Sequence, residues 1–569
     1  MIEWLFGPLV ELETRRALAR PWLIWMRVLA ALPAVFVTLM IVWIIWIQRH
    51  FEADISPGPV VRVGFCMLEL MIVTGALVIG PALVSSTLAG AKNRGMVTLL
   101  LAGNVSAKDV VWARLSGGLT LAVVLMVGSL PPIFACCAWC GLSLGASLLA
   151  LLLPLAALLG AGGLALALSA VAHRGRDALL TSYVLFLLLM LGLPILTNFL
   201  PDAWTNWGVE TNLFRAGSRL TLKSDPLPAL QAILSWSVLA VAAVSYAAWR
   251  IRPAYIAAGA VSGRRLRAGA KRPARPVGRW PMLWKELHCE QQAYGTRIGG
   301  VVARLTFAAI FCVTLITAAV VVGSETLWPD PIRAAEARDF LTTLVRYLTY
   351  PLSWLIEWWL GIRAATGIIA ERERDTWDPL LLSPLEAGEI VAGKLLGSLY
   401  AMRWLLLVTA AIWIIPTLVG AMTTSELFQR TAITFSAGAF MAAVGVYCSL
   451  VTRSTGVATA LAMALWCAVA MTTAIFSLFA TALAAMLLSL AWATIQSYFG
   501  DSPSSHSAWP SGFISFEMGF TLLRSVGYLL ATLLVTILSG KTFDRLAGRS
   551  VGSKRYRPVS IPPPRPLSV

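Results

Sequence analysis

The chain has 569 residues, of which 58% are hydrophobic and only 13% are charged, and its formal net charge is +17. Soluble domains carry about 25% charged residues, so most of this protein's surface must face something other than water. The long unbroken apolar runs exclude a soluble enzyme, and they also exclude a transmembrane β-barrel, whose short strands alternate in polarity. The composition predicts an all-α polytopic membrane protein.

Six membrane-spanning helices are predicted in the first half of the chain. Each approaches or exceeds the roughly 20 residues that a helix needs to cross the hydrocarbon core. The first apolar run is too long for the core of a cleavable signal peptide, so we expect it to stay as a helix. The predicted segments are 22–47, 64–91, 109–138, 142–171, 178–200 and 229–249.

Six more helices are predicted in the second half, which gives about 12 in all. The run 456–495 is too long for one crossing and is expected to include a turn or a re-entrant piece before the Gly500–Pro503 breaker. The course of the chain through 456–515 stays open. The predicted segments are 300–323, 345–370, 388–419, 430–452, 456–495 and 516–539.

Lysine and arginine placement predicts the topology. Basic residues concentrate between the two halves and in the C-terminal tail, and such segments stay in the cytoplasm. The chain therefore divides into a first six-helix half (1–250), a basic cytoplasmic linker (251–280), a second half (281–545) and a basic, Pro-rich tail (546–569). We expect both termini to be cytoplasmic in a bacterial inner membrane, and no nucleic-acid partner, because the charges lie at helix ends and linkers.

An internal repeat relates the halves. Residues 94–117 align without a gap on residues 374–397, an offset of 280 residues. The sign of the charge is the same at two aligned positions of the polar loop. Chance similarity among apolar helices does not explain matching charges in a polar loop. The two halves are predicted to be parallel copies. The matched pairs include Leu100/Leu380, Leu101/Leu381, Val111/Val391, Asp109/Glu389 and Arg114/Lys394.

A polar stretch follows the second helix of each half. In the second half, Asp378 is a good N-cap, Pro379 suits the first helical position, and Pro384 stops the segment. This pattern predicts a helix of barely one and a half turns whose Leu380, Leu381 and Leu382 point outward. Three leucines on a short cytoplasmic helix are unfavourable in water, so we expect them to insert into an apolar pocket of another protein.

In the first half, Thr98 takes the place of Asp378 and leads Leu99–Leu101. Ser106 and Asp109 then form the pattern of a capping box that opens the third helix.

These segments resemble the membrane subunits of ATP-binding-cassette exporters of the type-2 permease class. In that family a charged Glu-Arg-x-x-x-Thr segment, followed by Leu-Leu and Pro, forms the coupling helix that docks into the ATPase. The amphipathic segments beginning at Pro8 and Pro281 resemble the family's elbow helix, which lies along the cytoplasmic membrane face. The resemblance is weaker in the first half, where Gly95 and Asn104 replace Asp375 and Pro384, and this suggests a looser first-half dock.

The resemblance implies a permease that forms the translocation path, docks two copies of a separate ATPase subunit and is not itself an enzyme. The chain would bind no cofactor, since ATP and magnesium would belong to the ATPase. The residues implied in docking are Arg94, Thr98, Leu100, Leu101, Glu371, Arg372, Arg374, Thr376, Asp378, Leu380, Leu381 and Pro384.

No glycine-rich loop that would bind the phosphates of a nucleotide occurs in the chain. Two other functional classes, an ion-driven secondary transporter and an intramembrane enzyme, fit the sequence less well. An ion-driven secondary transporter would show Gly/Pro-broken helices with paired ionisable groups at the midplane, which these helices mostly lack. An intramembrane enzyme would carry polar catalytic motifs in its spans, and none is present. The cysteines lack the spacing of a metal site, and nothing in the helices identifies the substrate.

Two charged residues fall within predicted spans. Glu357 and Arg403 both lie roughly 21–22 Å above the cytoplasmic boundary at 1.5 Å per residue, on helices that run in opposite directions. We expect them to form an intramembrane ion pair, either structural or lining the substrate path.

Overall fold

The computed structural model describes residues 8–19, 23–50, 57–93, 106–172, 175–192, 210–262, 280–288, 297–326, 331–373, 376–473, 476–477, 480 and 512–547. Within these ranges the regular structure is entirely helical. Each of the twelve predicted segments contains a helix, so the all-α fold class is confirmed.

The first half begins with a short elbow helix and continues with long helices. The third predicted segment is interrupted by a single 3₁₀ turn at Val127–Ser129, and the described part of the fifth includes a π-helical turn at Leu188–Gly192. The helices are α1 (Pro8–Leu18), α2 (Leu23–His50), α3 (Pro57–Asn93), α4 (Ala107–Met126), α5 (Leu130–Trp139), α6 (Leu144–Val171), α7 (Gly175–Leu187), α8 (Leu213–Lys223) and α9 (Leu227–Ser262).

The second half repeats this order, with a short helix between its second and third long helices. The helices are α10 (Pro281–His288), α11 (Arg297–Thr326), α12 (Pro331–Glu373), α13 (Trp377–Leu382), α14 (Ala387–Ala401), α15 (Arg403–Leu418), α16 (Thr424–Val451), α17 (Thr455–Thr473) and α18 (Gly512–Ala547).

Eight of the described helices are long and apolar enough to cross a membrane, and nine if the bent pair α14–α15 counts as one span. The protein is therefore a multi-pass membrane protein. Three differences from the prediction are large. Helix α9 continues to Ser262, into the predicted linker. Helix α12 begins at Pro331, well before the predicted start at 345, because its first turns are charged and form no apolar run. The predicted helix 388–419 bends by 48° at Met402.

The same packing relations recur in both halves. The elbow helix contacts the third long helix (α1 with α4, α10 with α14), and the second packs on the fourth (α3 with α6, α12 with α16). The fourth in turn packs on the last (α6 with α9, α16 with α18). Small residues permit this closeness, since a Cβ at Gly445 of α16 would lie 2.6 Å from the Gly361 carbonyl oxygen of α12. These contacts support the predicted parallel repeat.

The halves meet along a seam where α7 of the first half contacts α11 and α12 of the second. One continuous apolar core crosses it, with Tyr183 and Val184 of α7 in the same cluster as Leu352 and Trp358 of α12.

Candidate functional site

The short helix α13 lies where the second long helix of the second half ends. The sequence predicted Asp378 as its N-cap, but the helix begins at Trp377 with Thr376 in the N-cap position. Thr376 does not cap the helix with its side chain. Its hydroxyl donates instead to the carboxylate of Glu371 and, at 3.2 Å, to the Glu371 carbonyl oxygen. A polar partner at the end of α12 therefore decides where α13 starts.

The leucines of α13 do not all point outward, as the sequence predicted. Leu380 is only 8% exposed and packs in the core of the second half with Met282 of the elbow helix α10. The prediction was wrong for Leu380 because the helix lies on the bundle, and residues three apart share its inner face; Leu380 is buried there and Trp377 is partly buried. Trp377 lies 5.9 Å from the ring of Phe543 in α18. Leu381 is half-buried, and Leu382 is 87% exposed.

A buried cluster of charges surrounds the base of α13. Glu371, at the end of α12, is almost fully buried and accepts hydrogen bonds from Lys285 Nζ (2.7 Å) and Lys394 Nζ (2.9 Å). Lys394, in α14, also forms an ion pair with Glu286 of the elbow helix. The cluster of Lys285, Glu286, Glu371 and Lys394, which we call the junction cluster, therefore joins α10, α12 and α14, and Thr376 links it to α13.

The electrostatics of Glu371 fit this role. Glu371 follows the predicted span 345–370, so it belongs to the end of the helix rather than to the membrane interior. Burial raises the pKa of its carboxyl, but the charge of Lys394 and the hydrogen bonds from Lys285, Lys394 and Thr376 outweigh burial and lower the pKa to about 2. Glu371 is therefore ionised at physiological pH and holds both lysines.

Two glycines bring the elbow helix against α14. A Cβ at Gly393 would lie 2.7 Å from Met282 Cγ, and a Cβ at Gly397 would lie 2.6 Å from Glu286 Cβ. They are four residues apart and so share one face of α14, with Lys394 beside them. The close approach lets the short Glu286 side chain reach Lys394 inside the protein.

Arg372 contacts the helix bundle. Its guanidinium donates to the carbonyl oxygen of Thr452 at 2.9 Å and lies 4.9 Å above the ring of Trp377. It thereby connects α12 to the end of α16 and to α13. Asp378 and Pro384, in contrast, are exposed on the outer side of the segment.

The first half carries a matching junction with fewer members. Arg114 forms an ion pair with Glu13 of the elbow helix at 3.2 Å, and a Cβ at Gly117 would lie 3.2 Å from Glu13 Cβ. Arg114 and Gly117 are the repeat equivalents of Lys394 and Gly397. Ser106 caps α4 by accepting from the Asp109 N–H at 3.1 Å, as predicted. Five implied docking residues, Arg94, Thr98, Leu100, Leu101 and Arg374, lie outside the described residues.

The predicted ion pair between Glu357 and Arg403 does not form. Glu357 accepts from Trp466 Nε1, whereas the Arg403 guanidinium lies 4.1 Å above the Tyr400 ring and donates to the Tyr400 carbonyl oxygen. The expectation failed because it assumed a straight helix over 388–419. The helix bends by 48° at Met402, immediately before Arg403.

The sequence reading missed Lys285, Glu286 and the two glycines of α14. The signal was present, because both elbow segments contain a glutamate and the repeat keeps a basic residue at 114 and 394 and a glycine at 117 and 397. Across the described part of the chain, no three His, Cys, Asp or Glu residues could hold a metal ion. The junction cluster thus joins α13 to three helices through buried charges.

The described part of the chain is thus a polytopic helical bundle in which an elbow helix of each half meets a long helix at partly or fully buried charges. Residues 334–543 match the family model described as ABC-2 family transporter protein. This match runs from α12 to α18 and supports the resemblance of that part of the second half to type-2 permeases of ATP-binding-cassette transporters. No curated protein and no solved structure matches the chain.

Proposed function

We propose that the chain is the transmembrane subunit of an ATP-driven exporter in a bacterial inner membrane. It forms the translocation path and docks two copies of a separate ATPase subunit that binds ATP and magnesium, one beneath each half. The observation that carries this proposal is the geometry of α13, which is anchored by Trp377, Leu380 and the junction cluster and presents Leu382 to solvent.

An anchored, exposed helix suits the transfer of force between subunits. A partner that pushes on Leu382 pushes on a helix whose inner face is fixed in the core, and the junction cluster passes the displacement to α10, α12 and α14. Arg114 and Glu13 offer the first half the same route with more exposed charges, in keeping with the looser dock predicted there. Leu382 is thus the main docking contact, while Leu380 is an anchor.

Co-purification tests this proposal. The chain is co-expressed with candidate ATP-binding-cassette ATPases of the same organism, and the complex is isolated through a tag on the chain. Leu382→Asp places a charge in an apolar socket, which costs several kcal/mol, so the ATPase should be lost while the permease still inserts. Leu144→Asp is the matched control, because Leu144 is 81% exposed and begins a helix on the predicted outer side.

Two results would refute the proposal. The first is a wild-type chain that brings down no ATPase and transports only when an ion gradient is supplied, as a secondary transporter does. The second is equal retention of the ATPase by Leu382→Asp and Leu144→Asp.

A further inference from the structure

Two arginines lie close together at the end of the second half that is opposite to α13. Arg346 belongs to α12 and Arg430 to α16, and these two helices pack on each other. Arg430 is partly buried and donates to the Thr349 hydroxyl at 2.6 Å. Arg346 is exposed and forms a loose ion pair with Glu426 at 3.8 Å.

This pair of arginines carries more positive charge than its surroundings neutralise. The negative charge of Glu426 and the positive charge of Arg346 both act on Arg430. Among the described residues no carboxylate forms an ion pair with Arg430, whose hydrogen bond goes to a neutral hydroxyl. Two positive charges therefore share one negative charge. A guanidinium has five N–H donors in a planar fork, so both arginines keep donors for a further anion.

The arginines lie at the level of a membrane surface. Helix α16 has 28 residues, so it is about 42 Å long, whereas the hydrocarbon core is about 30 Å thick. Its first two turns, which contain Glu426 and Arg430, therefore extend towards the lipid headgroups. Tyr347 and Tyr350, beside Arg346 on α12, are 72% and 68% exposed, and tyrosines are enriched at this level of membrane proteins. We call the two arginines and these two tyrosines the basic patch.

The chemistry of the basic patch fits the headgroup of an anionic phospholipid. Guanidinium groups bind phosphate oxygens through two parallel hydrogen bonds, and lipid phosphates lie at this level of the membrane. A tyrosine offers an apolar ring to the acyl chains and a hydroxyl to the headgroup. An acidic peptide would match the charge too, but α16 also exposes Phe428 and Phe435, whose side chains suit lipid rather than water.

We propose that the basic patch binds an anionic phospholipid through its phosphate. In the proposed topology this lipid belongs to the outer leaflet, because α12 runs from the basic patch to the cytoplasmic helix α13. The binding needs no ATPase, so it stands or falls independently of the proposed docking.

Photolabelling of the full chain in phosphatidylcholine liposomes tests the proposal. The probes are trace phosphatidylglycerol and trace phosphatidylcholine with the same photoreactive acyl chain, and mass spectrometry identifies the labelled peptides. Phosphatidylglycerol should label the peptides of the basic patch at least about fivefold more than phosphatidylcholine does. Arg430→Gln should lower the phosphatidylglycerol labelling about fivefold, since one basic residue strengthens binding of anionic lipid by roughly this factor. Arg338→Gln is the matched control and should change nothing, because Arg338 lies at the same end of α12 but pairs with Glu325.

Two further variants cover a folding failure of Arg430→Gln. Arg346→Gln alters an exposed side chain with a loose ion pair, and it should lower phosphatidylglycerol labelling by a similar factor. Glu426→Gln removes the negative charge that the arginines share and should raise the labelling. The glutamine keeps an acceptor for the Thr423 N–H, which the Glu426 carboxylate accepts at 3.2 Å at the start of α16.

Three results would overturn the proposal. The first is equal labelling of the basic patch by the two lipids in the wild type. The second is equal phosphatidylglycerol labelling in the wild type and in a folded Arg430→Gln or Arg346→Gln variant. The third is competition by inorganic phosphate or by a polyglutamate peptide, each compared with chloride at equal ionic strength, because that would assign the arginines to a free anion or to an acidic peptide.

Discussion

Replacing Lys394 with methionine is expected to weaken the whole junction. The lysine side chain is 3% exposed and neutralises two carboxylates, those of Glu371 and Glu286, that are 1% and 5% exposed. Methionine keeps most of the volume but leaves Glu286 without its lysine and Glu371 with Lys285 alone. Removing one member of a buried ion pair costs about 3–5 kcal/mol, and that is the loss of unfolding free energy we expect.

Denaturant titration of the protein in mixed micelles measures that loss. Lys541→Met is the control, because Lys541 is an exposed lysine near the end of α18. The Lys394→Met/Glu286→Gln double variant removes both charges of one pair and should recover part of the loss, since coupled residues are not additive. If Lys394→Met and Lys541→Met cost the same, or if the double variant shows additive losses, the junction cluster does not hold these helices together.

Three further results are expected. Gly397→Ala should destabilise the protein in thermal unfolding, because its Cβ would lie 2.6 Å from an elbow side chain, whereas Gly388→Ala on the same helix meets nothing within 4 Å and should be neutral or slightly stabilising. The ionised Glu371 stabilises the fold above its ordinary pKa of 4.5, and this contribution should disappear as the pH falls towards 2, a loss that Glu371→Gln should not show. Impermeant thiol reagents should label a cysteine at Ser504 from outside but not one at Ser262, and the reverse pattern would invert the topology.

The fold could be predicted well because its determinants are local. Apolar runs long enough for a membrane located all twelve helical segments, and the gapless repeat anticipated that α10 and α14 would pack as α1 and α4 do. The amphipathic helix α8 was missed, because a short helix with one polar face has no long apolar run. The bend at Met402 has no recognisable sequence pattern either, and the predicted ion pair of Arg403 with Glu357 assumed a straight helix.

The sequence predicted a short helix after Glu371, which the structure contains, but it did not predict the contacts of that helix. The sequence identified the segment around Glu371 and α13, since its charges, prolines and leucines are contiguous. Which leucine faces inward depends on how the helix lies on Met282 and Phe543, which are distant in sequence. The partners of Glu371 come from the elbow helix and from α14, and only the packing at Gly393 and Gly397 brings them together.

The most direct test of the account is a crosslink from the exposed side of α13. A photoreactive phenylalanine analogue is placed at position 382, or at position 144 as the control, in the permease co-expressed with its ATPase. The account predicts a permease–ATPase adduct from Leu382, which is 87% exposed, and none from Leu144. An ATPase that co-purifies but crosslinks from neither position, or from position 144 alone, would contradict the assignment of α13 as the coupling helix.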